Sequence, residues 1–220
     1  MERVIFLDRD GTLNEEVHYL HRKEDLKILE GVPKALRKFR ENGYRLVVVT
    51  NQAGVARGYY QEADVKALHQ YMNELLSSAG AGIDGFFYCP HHPEHGIGEY
   101  KKICHCRKPD IGMFEQAERY FDVDKAHSWM IGDKLIDMEA GRNYGVKTVL
   151  VGTGYGARVH RELIGQMRDG RLCQADLSAD GRGTNGRIKT GEGGRLPYDF
   201  YAETLADAAC AILKGEDGGR

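Results

Sequence analysis

A short apolar run that ends in two carboxylates constrains the fold of this chain more than any other stretch. Val4–Leu7 is apolar throughout, which is typical of a strand buried on both faces of a parallel sheet. Asp8 and Asp10 follow it, where open α/β sheets place their ligand sites. Two crowded carboxylates need a compensating cation or a shared proton, and oxygen ligands favour magnesium. The alternative is that Asp-x-Asp-Gly only forms a turn.

Further apolar runs alternate with amphipathic segments and predict repeated β/α units. Strands are predicted at 46–49, 85–88, 128–131 and 146–151, with an edge strand at 198–202. Helices are predicted to begin near residues 31, 61, 113, 138 and 204, the second with a buried stripe of Val65, Leu68, Met72 and Leu75. This alternation predicts an α/β fold, a doubly wound Rossmann-like parallel sheet with helices on both faces.

Residues 155–197 differ in character, with many glycines and arginines and few large apolar side chains. Only a short helix near 159–167 is predicted within them. We interpret this stretch as a surface insertion within a single domain that spans residues 1–220.

The composition favours a soluble cytoplasmic protein. A chain of 220 residues suits one well-filled core, and a formal net charge of −2 argues against nonspecific nucleic-acid binding. No apolar run reaches the roughly 18 residues of a membrane span. A strand that begins by residue 4 leaves no room for a signal peptide. The single-domain size and the lack of an obvious exposed apolar helix predict a monomer.

Polar residues also follow two other predicted strands. Thr50–Gln52 ends the second strand and could hydrogen-bond phosphate oxygens, with an ordinary polar turn as the alternative. Asp133 follows the fourth strand and a glycine, which puts a third carboxylate at the same edge of the sheet. Asp133 is therefore predicted to complete a magnesium site with Asp8. Asp137, one turn later, would support this site or cap the next helix.

A cluster of cysteines and histidines follows the third strand. Cys89, His91, Cys104 and Cys106 offer the four soft ligands of a closed tetrahedral zinc site. Spacing alone does not identify the imidazole, because three other histidines lie nearby: His92, His95 and His105. A disulfide is the alternative. The odd number of cysteines, five, and the expected cytoplasmic location favour zinc instead. A closed site leaves no position for water, so the zinc would be structural and would hold the loop together.

Arg107 and Lys108 follow the last of these cysteines directly, so a metal would fix the place from which both cations project. Lys108 is a candidate for neutralising a phosphate as a point charge, and Arg107 could make a forked contact to a second phosphate. Two solvated surface charges are the alternative, which the attachment to the metal loop disfavours.

Four of these segments resemble the ordered motifs of haloacid-dehalogenase (HAD) phosphatases. They are Asp8-Arg9-Asp10-Gly11-Thr12, Thr50-Asn51-Gln52, Lys108, and Gly132-Asp133 with Asp137, and the resemblance spans residues 4–151. The patterns at 50–58, 89–93 and 104–109 are similar to the D-glycero-D-manno-heptose 1,7-bisphosphate 7-phosphatase family and to the histidinol-phosphatases, including the zinc loop. The resemblance implies an HAD-like fold without a large cap domain and hydrolysis of a phosphate monoester.

The resemblance also implies a mechanism. Asp8 would attack phosphorus and form an aspartyl-phosphate, and Asp10 would protonate the departing oxygen and then activate water. Magnesium would be held by Asp8, Asp133 and the backbone carbonyl of Asp10. Thr50 and Lys108 would hold the transferring phosphoryl oxygens. A binding protein that kept the fold but lost catalysis is the alternative, which the intact charged residues disfavour.

By the same resemblance, the expected substrate is a phosphorylated sugar, heptose 1,7-bisphosphate, in ADP- or GDP-heptose biosynthesis for lipopolysaccharide core or surface glycans. Histidinol phosphate or another small phosphate ester is the alternative. The first loop, residues 16–19, departs from the Asp-x-Gly-Tyr pattern of heptose enzymes. The implied substrate contacts are Glu16, His18, Tyr19, Thr50, Asn51, Gln52, Arg57, Arg107, Lys108 and Lys134.

Overall fold

The computed structural model describes residues 1–168 and 196–217. Its strands are β1 (Arg3–Leu7), β2 (Tyr44–Asn51), β3 (Gly85–Cys89), β4 (Trp129–Gly132), β5 (Lys147–Val151) and β6 (Phe200–Ala202). Its α-helices are α1 (Val32–Glu41), α2 (Ala53–Ala56), α3 (Glu62–Ser78), α4 (Gly112–Glu118), α5 (Leu135–Tyr144), α6 (Gly156–Arg168) and α7 (Leu205–Asp217). Short 3₁₀ helices occupy Lys23–Asp25, Gly98–Tyr100 and Lys125–His127.

The strands of the sheet have apolar centres because helices cover the sheet on both faces. Along β1, Ile5 and Leu7 pack in one core with residues of α1, α3 and α7. Val4 and Phe6 point to the other face and pack in a second core with residues of α4 and α5. All four side chains are fully buried, as the period of two along a strand requires when each face has a helical layer. The predicted doubly wound sheet is confirmed.

The strand order places the site. The six strands pair in parallel, in the order β3-β2-β1-β4-β5-β6, and Leu7 at the end of β1 is in register with Val48 and Ile131. The direction in which strands are added therefore reverses between β1 and β4. Open α/β sheets bind ligands outside the carboxyl ends of the strands at such a reversal. Asp8, whose N–H donates to the Ile131 carbonyl at 2.9 Å, leaves β1 at this point.

The buried stripe of α3 differs from the sequence prediction at one position. Leu76 is 1% exposed and packs in the core with Met72, whereas Leu75, the predicted member, is 40% exposed. Positions 75 and 76 both satisfy a helical spacing from Met72. Packing against the following segment, through Ala81 and Ile83, distinguishes them, and periodicity cannot show that contact.

Helix α6 begins at Gly156 and runs to Arg168, so it is longer than the short helix predicted there. Its Leu163 is fully buried in a cluster with Met138, Leu150 and Tyr198, which joins this helix to the sheet. Residues 169–195 of the predicted insertion, including Cys173, lie outside the described residues.

The described elements are the sheet, the helices around it and short helices in its connecting loops, so residues 1–168 and 196–217 contain no cap domain. The longest connections at the carboxyl edge are the loops after β1 and β3. Among the described helices, none has the length and apolar character needed to cross a membrane.

Candidate active site and metal centre

Lys108 lies between two carboxylates at the carboxyl edge of the sheet. Its Nζ is 2.9 Å from Asp8 Oδ1 and 2.6 Å from Asp137 Oδ1, and it donates to the Val49 carbonyl at 2.7 Å. The three charged side chains are almost completely buried. Asp8 follows β1, Asp137 lies in the first turn of α5, and Lys108 lies in the loop before α4. Three separate elements therefore supply one compact group of charges.

Asn51 fixes the backbone from which Lys108 projects. Its Oδ1 accepts the Lys108 N–H at 3.0 Å, and its Nδ2 donates to the Lys108 carbonyl at 3.1 Å. The side-chain amide that was predicted to contact substrate is thus engaged with the Lys108 loop. This pair of bonds joins the end of β2 to the residue that follows the cysteine cluster.

Neighbouring charges decide the protonation of the buried Asp8–Lys108 pair. Burial would raise the pKa of Asp8, but the Lys108 and Lys134 cations outweigh it and hold that pKa below its usual value. Burial would likewise lower the pKa of Lys108, but Asp137 and Asp8 outweigh it and raise that pKa. Asp8 is therefore a carboxylate and Lys108 a cation at neutral pH.

Asp133 completes a group of three carboxylates whose oxygens lie within 4.8 Å of one another. Its Oδ2 accepts the Tyr155 N–H at 2.9 Å. Its Oδ1 accepts no hydrogen bond from the described residues and has Lys134 Nζ at 3.3 Å. Burial raises the pKa of Asp133 to about 8, and the attraction of Lys134 does not offset it. Three clustered carboxyl groups, one of them disfavoured as an anion by its burial, are hard oxygen ligands that fit a divalent cation such as magnesium.

Two glycines allow the backbone to approach Asp133 closely. A Cβ on Gly11 would lie 2.3 Å from Asp133 Oδ2, and a Cβ on Gly154 would lie 2.2 Å from the same atom. Both residues also have left-handed φ values, +85° and +57°. The loops after β1 and β5 can therefore close around this carboxylate only because neither position carries a side chain.

Lys134 links the first loop to the carboxylates. Its Nζ lies 3.0 Å from Glu16 Oε2, 3.3 Å from Asp133 Oδ1 and 3.5 Å from the Asp10 carbonyl oxygen. Burial would lower the pKa of Lys134, but Asp133 and the other carboxylates raise it. This cation thus contacts two of the groups that were predicted to hold magnesium.

The Asp10 carboxylate belongs to a separate network. Arg9 Nη2 donates to both of its oxygens, at 3.0 and 2.8 Å. Asn14 Nδ2 donates to Oδ1 at 3.0 Å, and Gln52 Nε2 donates to Oδ2 at 3.1 Å. The side chain is therefore outside the group of three carboxylates, while the Asp10 carbonyl faces Lys134.

The polar end of β2 is buried. Thr50 is 1% exposed and Gln52 is 2% exposed. Gln52 Nε2 donates to Thr50 Oγ1 at 3.0 Å, and its Oε1 accepts the Tyr60 hydroxyl at 2.9 Å. These contacts make Thr50–Gln52 part of the site rather than a solvated turn.

Aromatic and basic side chains line one rim of the site. Tyr19 has a φ of +60°, which is uncommon outside glycine. Its ring meets Tyr59 edge-on at 4.7 Å, and the Arg57 guanidinium lies 5.9 Å from the same ring. His18 is exposed beside Tyr19. Tyr59, which is 55% exposed, was missing from the predicted contacts, although its place beside the glycine-rich basic loop was a usable signal.

The four predicted soft ligands come together. The sulfur atoms of Cys89, Cys104 and Cys106 lie 3.2–3.3 Å apart, and His91 Nδ1 is 3.4 Å from Cys106 Sγ. The described cysteines are all free, so no disulfide joins them. Hydrogen bonding with Cys89 lowers the pKa of Cys106 to about 5, which favours a thiolate ligand. The cluster is compatible with a tetrahedral metal site.

The other nearby histidines make different contacts. His92 Nδ1 accepts the backbone N–H groups of Glu94 and His95, and His105 Nε2 lies 2.8 Å from Glu115. His95 Nε2 lies 3.5 Å from Glu94, so His91 is the imidazole of the cluster. Arg107 Nη1 donates to the His91 carbonyl at 3.2 Å, which ties this cation to the same loop.

Comparison with known proteins identifies the family. A family model described as "HAD-hyrolase-like" matches residues 105–169. A D-glycero-beta-D-manno-heptose-1,7-bisphosphate 7-phosphatase of Haemophilus ducreyi is 50% identical over 155 residues, 70% of this chain and 85% of that protein. Its counterpart in Escherichia coli K12 is 45% identical over 152 residues, 68% of this chain and 79% of that protein. The chain belongs to this family of phosphatases.

A solved structure agrees with the family assignment. The D,D-heptose 1,7-bisphosphate phosphatase of B. bronchiseptica, complexed with magnesium and phosphate, has a TM-score of 0.71 and 28% identity. The match covers 97% of this chain and 99% of that chain. The predicted HAD-like fold and the predicted enzyme class, a hydrolase of phosphate monoesters, are confirmed.

Two residues of this heptose-bisphosphatase family member were not assigned a role by sequence reasoning. Arg9 was noted only as the middle residue of its motif, yet it contacts Asp10 directly. His69 lies in the helix predicted to begin near residue 61 and was not singled out there, yet it contacts Arg9. The position of Arg9 between two carboxylates was a signal for its role, whereas no local feature of the sequence marks His69.

Proposed function

We propose that this protein removes the 7-phosphate of D-glycero-β-D-manno-heptose 1,7-bisphosphate. The observation that carries the proposal is the buried Asp8–Lys108 pair, 2.9 Å apart at the edge of the sheet. This pair lies in a chain that is 45–50% identical to phosphatases named for that reaction. The same relatives favour the beta anomer, which motifs alone did not distinguish.

Asp8 is the proposed nucleophile. Its carboxylate is charged at neutral pH because Lys108 and Lys134 lower its pKa. A carboxylate oxygen attacks phosphorus in line, the bond between phosphorus and the sugar oxygen breaks, and an aspartyl-phosphate forms. Lys108 and the Thr50 hydroxyl bind the phosphoryl oxygens as negative charge shifts among them.

Asp10 is the proposed acid and base. It donates a proton to the departing sugar oxygen, which leaves Asp10 as a carboxylate. It then takes a proton from the water that attacks phosphorus, so inorganic phosphate is released and Asp8 is restored. Each turnover therefore returns both carboxyl groups to their starting protonation states.

The residues fit two metal ions. Asp8, Asp133 and the Asp10 carbonyl would hold magnesium, since Asp133 Oδ1 is a buried acceptor without a hydrogen bond from the described residues. Bound there, magnesium supplies positive charge that lets a carboxylate approach an anionic phosphate. Zinc would bind the cysteine cluster and have a structural role, because four protein ligands close the site: Cys89, His91, Cys104 and Cys106.

The sugar is proposed to lie among the loops at the carboxyl edge. Glu16, His18, Tyr19 and Arg57 would contact it, as part of the first loop and of the aromatic rim. Arg107 would bind the second phosphate, because it is a forked donor next to Lys108. Asn51, Gln52 and Lys134 would contact the substrate as well as hold neighbouring site residues.

Phosphate release with magnesium tests this function. Heptose 1,7-bisphosphate should be hydrolysed far more efficiently than histidinol phosphate, and Asp8→Asn should abolish the activity. If histidinol phosphate were the better substrate, the mechanism would stand and the substrate would be wrong. Full activity of Asp8→Asn would show that Asp8 is not the nucleophile.

A further inference from the structure

Arg9 is the largest fully buried side chain of the described residues, and a buried guanidinium needs an explanation. Its solvent exposure is 0%, although it lies between two residues of the site. A buried ion pair is weak evidence for stability, because apolar side chains of similar volume often serve as well. Its position next to the reacting groups points to a role in the reaction.

The contacts of Arg9 converge on Asp10. Arg9 Nε donates to Asp10 Oδ1 at 3.1 Å, and Nη2 donates to both oxygens at 3.0 and 2.8 Å. This planar fork fixes the plane of the carboxylate as well as its position. Gln52 and the Leu20 carbonyl accept further hydrogen bonds from Nη2, at 3.1 and 3.2 Å, and hold the guanidinium in turn.

His69 holds the other end of the guanidinium. Arg9 Nη1 lies 3.2 Å from His69 Nε2. Since a guanidinium has donors only, the imidazole must accept this bond and therefore be the neutral tautomer with its hydrogen on Nδ1. The ring is 4% exposed, stacks on Phe86 at 4.7 Å and meets Tyr88 edge-on at 5.8 Å. Helix α3 thus supplies one residue that supports the site from behind.

We propose that Arg9 and His69 are positioning residues that orient the Asp10 carboxyl group for its two proton transfers. The proposal rests on the proposed acid–base role of Asp10. Arg9 fixes the plane of the carboxylate through the fork, and neutral His69 fixes the plane of the guanidinium through its lone pair. A proton on His69 would abolish this acceptor and set two cations against each other, so the pair works only with a neutral imidazole.

The leaving group tests this role. Hydrolysis of a sugar phosphate needs a proton for the departing alkoxide, whereas p-nitrophenyl phosphate releases a phenolate that needs little protonation. The kcat/KM value reports the steps through the first P–O bond cleavage. Arg9→Lys keeps the charge and loses the fork, so it should lower kcat/KM about 30-fold or more on heptose bisphosphate and less than about 3-fold on p-nitrophenyl phosphate.

His69→Phe keeps the aromatic stack and loses the acceptor, so it should show the same pattern with a smaller loss. It also tests the proposal if Arg9→Lys fails to fold. Arg45→Lys is the matched control, because Arg45 pairs with Glu2 and Asp84 on the surface, and wild-type values are expected. Equal losses on both substrates, or no loss, in the folded variants would overturn the positioning role.

Asp10→Asn separates failure of this inference from failure of the proposed function. If Asp10→Asn loses the same factor of kcat/KM on heptose bisphosphate and on p-nitrophenyl phosphate, Asp10 is not the acid and the mechanism itself is wrong. If Asp10→Asn loses more kcat/KM on heptose bisphosphate than on p-nitrophenyl phosphate and Arg9→Lys does not, only the positioning role is wrong. In the Asp10→Asn background, Arg9→Lys should add less than about 3-fold, because residues that act through one another are non-additive.

Discussion

At the residue scale, the site is organised by how each buried charge is balanced. Lys108 is shared between Asp8 and Asp137, and Arg9 is bound to Asp10. These two groups separate the proposed nucleophile from the proposed acid and base, although the residues are only two positions apart. Different partners thus allow neighbouring carboxylates in one motif to have different chemical roles.

The buried His69 makes a prediction about stability and pH. Burial and the Arg9 charge lower the pKa of His69 well below its usual 6.5. The unfolded chain therefore binds a proton that the folded chain excludes, and stability is lost as the pH falls below 6.5. Between pH 7.5 and 5.5 the contribution of His69 to this loss should be at most about 1.4 kcal/mol in the wild type and absent in His69→Phe.

Urea unfolding at the two pH values measures this difference. Because other groups also titrate, the comparison is between the losses of the two proteins rather than their absolute stabilities. Equal losses in wild type and His69→Phe would mean that His69 is protonated in the fold and cannot accept from Arg9.

At the scale of elements, the site depends on loops that approach one another closely around the end of β4. The Cα atom of Gly11 lies 2.7 Å from where a Cβ on Gly154 would be. The loops after β1 and β5 are therefore packed against each other as well as against Asp133. Their spacing should matter for catalysis more than the intrinsic backbone preference of either glycine.

Gly154→Ala and Gly98→Ala form a matched pair that tests this. Both glycines have left-handed backbones, with φ of +57° and +56°. The backbone conformation alone should therefore cost each alanine variant about 1–2 kcal/mol of stability. A Cβ at Gly98 meets nothing within 4 Å, whereas one at Gly154 would displace Asp133. Gly154→Ala should therefore lower kcat/KM about 10-fold or more. It should also raise the magnesium concentration needed for half-maximal activity, measured by titration of activity with the metal.

The cysteine loop is the other element whose structure depends on a few contacts. Cys104→Ser should lose the bound zinc, lower the Tm and lower the activity, because the loop also carries Lys108. Zinc per chain, measured by elemental analysis, should fall from about one to near zero. Cys210→Ser, on α7 and outside the cluster, should keep both zinc and activity. Full activity of a zinc-free Cys104→Ser protein would contradict the structural role.

At the scale of the whole molecule, the strands could be predicted because each contains a short apolar run. The motif residues at the ends of β1, β2 and β4 could be placed together because parallel strands share one carboxyl edge. The partners of Arg9 could not be predicted, since they depend on α3 packing behind β1 and on the loop that carries Leu20. Nor could periodicity choose between Leu75 and Leu76, which differ only in tertiary contacts. The monomeric state and the cytoplasmic location stay predictions.

The last prediction concerns how the sheet edge and the cysteine loop bind one substrate. The sheet edge is proposed to hold the reacting phosphate, and Arg107 on the cysteine loop is proposed to hold the other. Arg107→Gln removes the charge and the forked donor, so kcat/KM for the 1,7-bisphosphate should fall about 10- to 100-fold. The value for heptose 7-phosphate, which lacks the second phosphate, should change less than about 3-fold. Lys102→Gln, an exposed cation on the same loop, should leave both values unchanged. Equal losses on both substrates would show that Arg107 acts only through its bond to the His91 carbonyl, as a support of the loop.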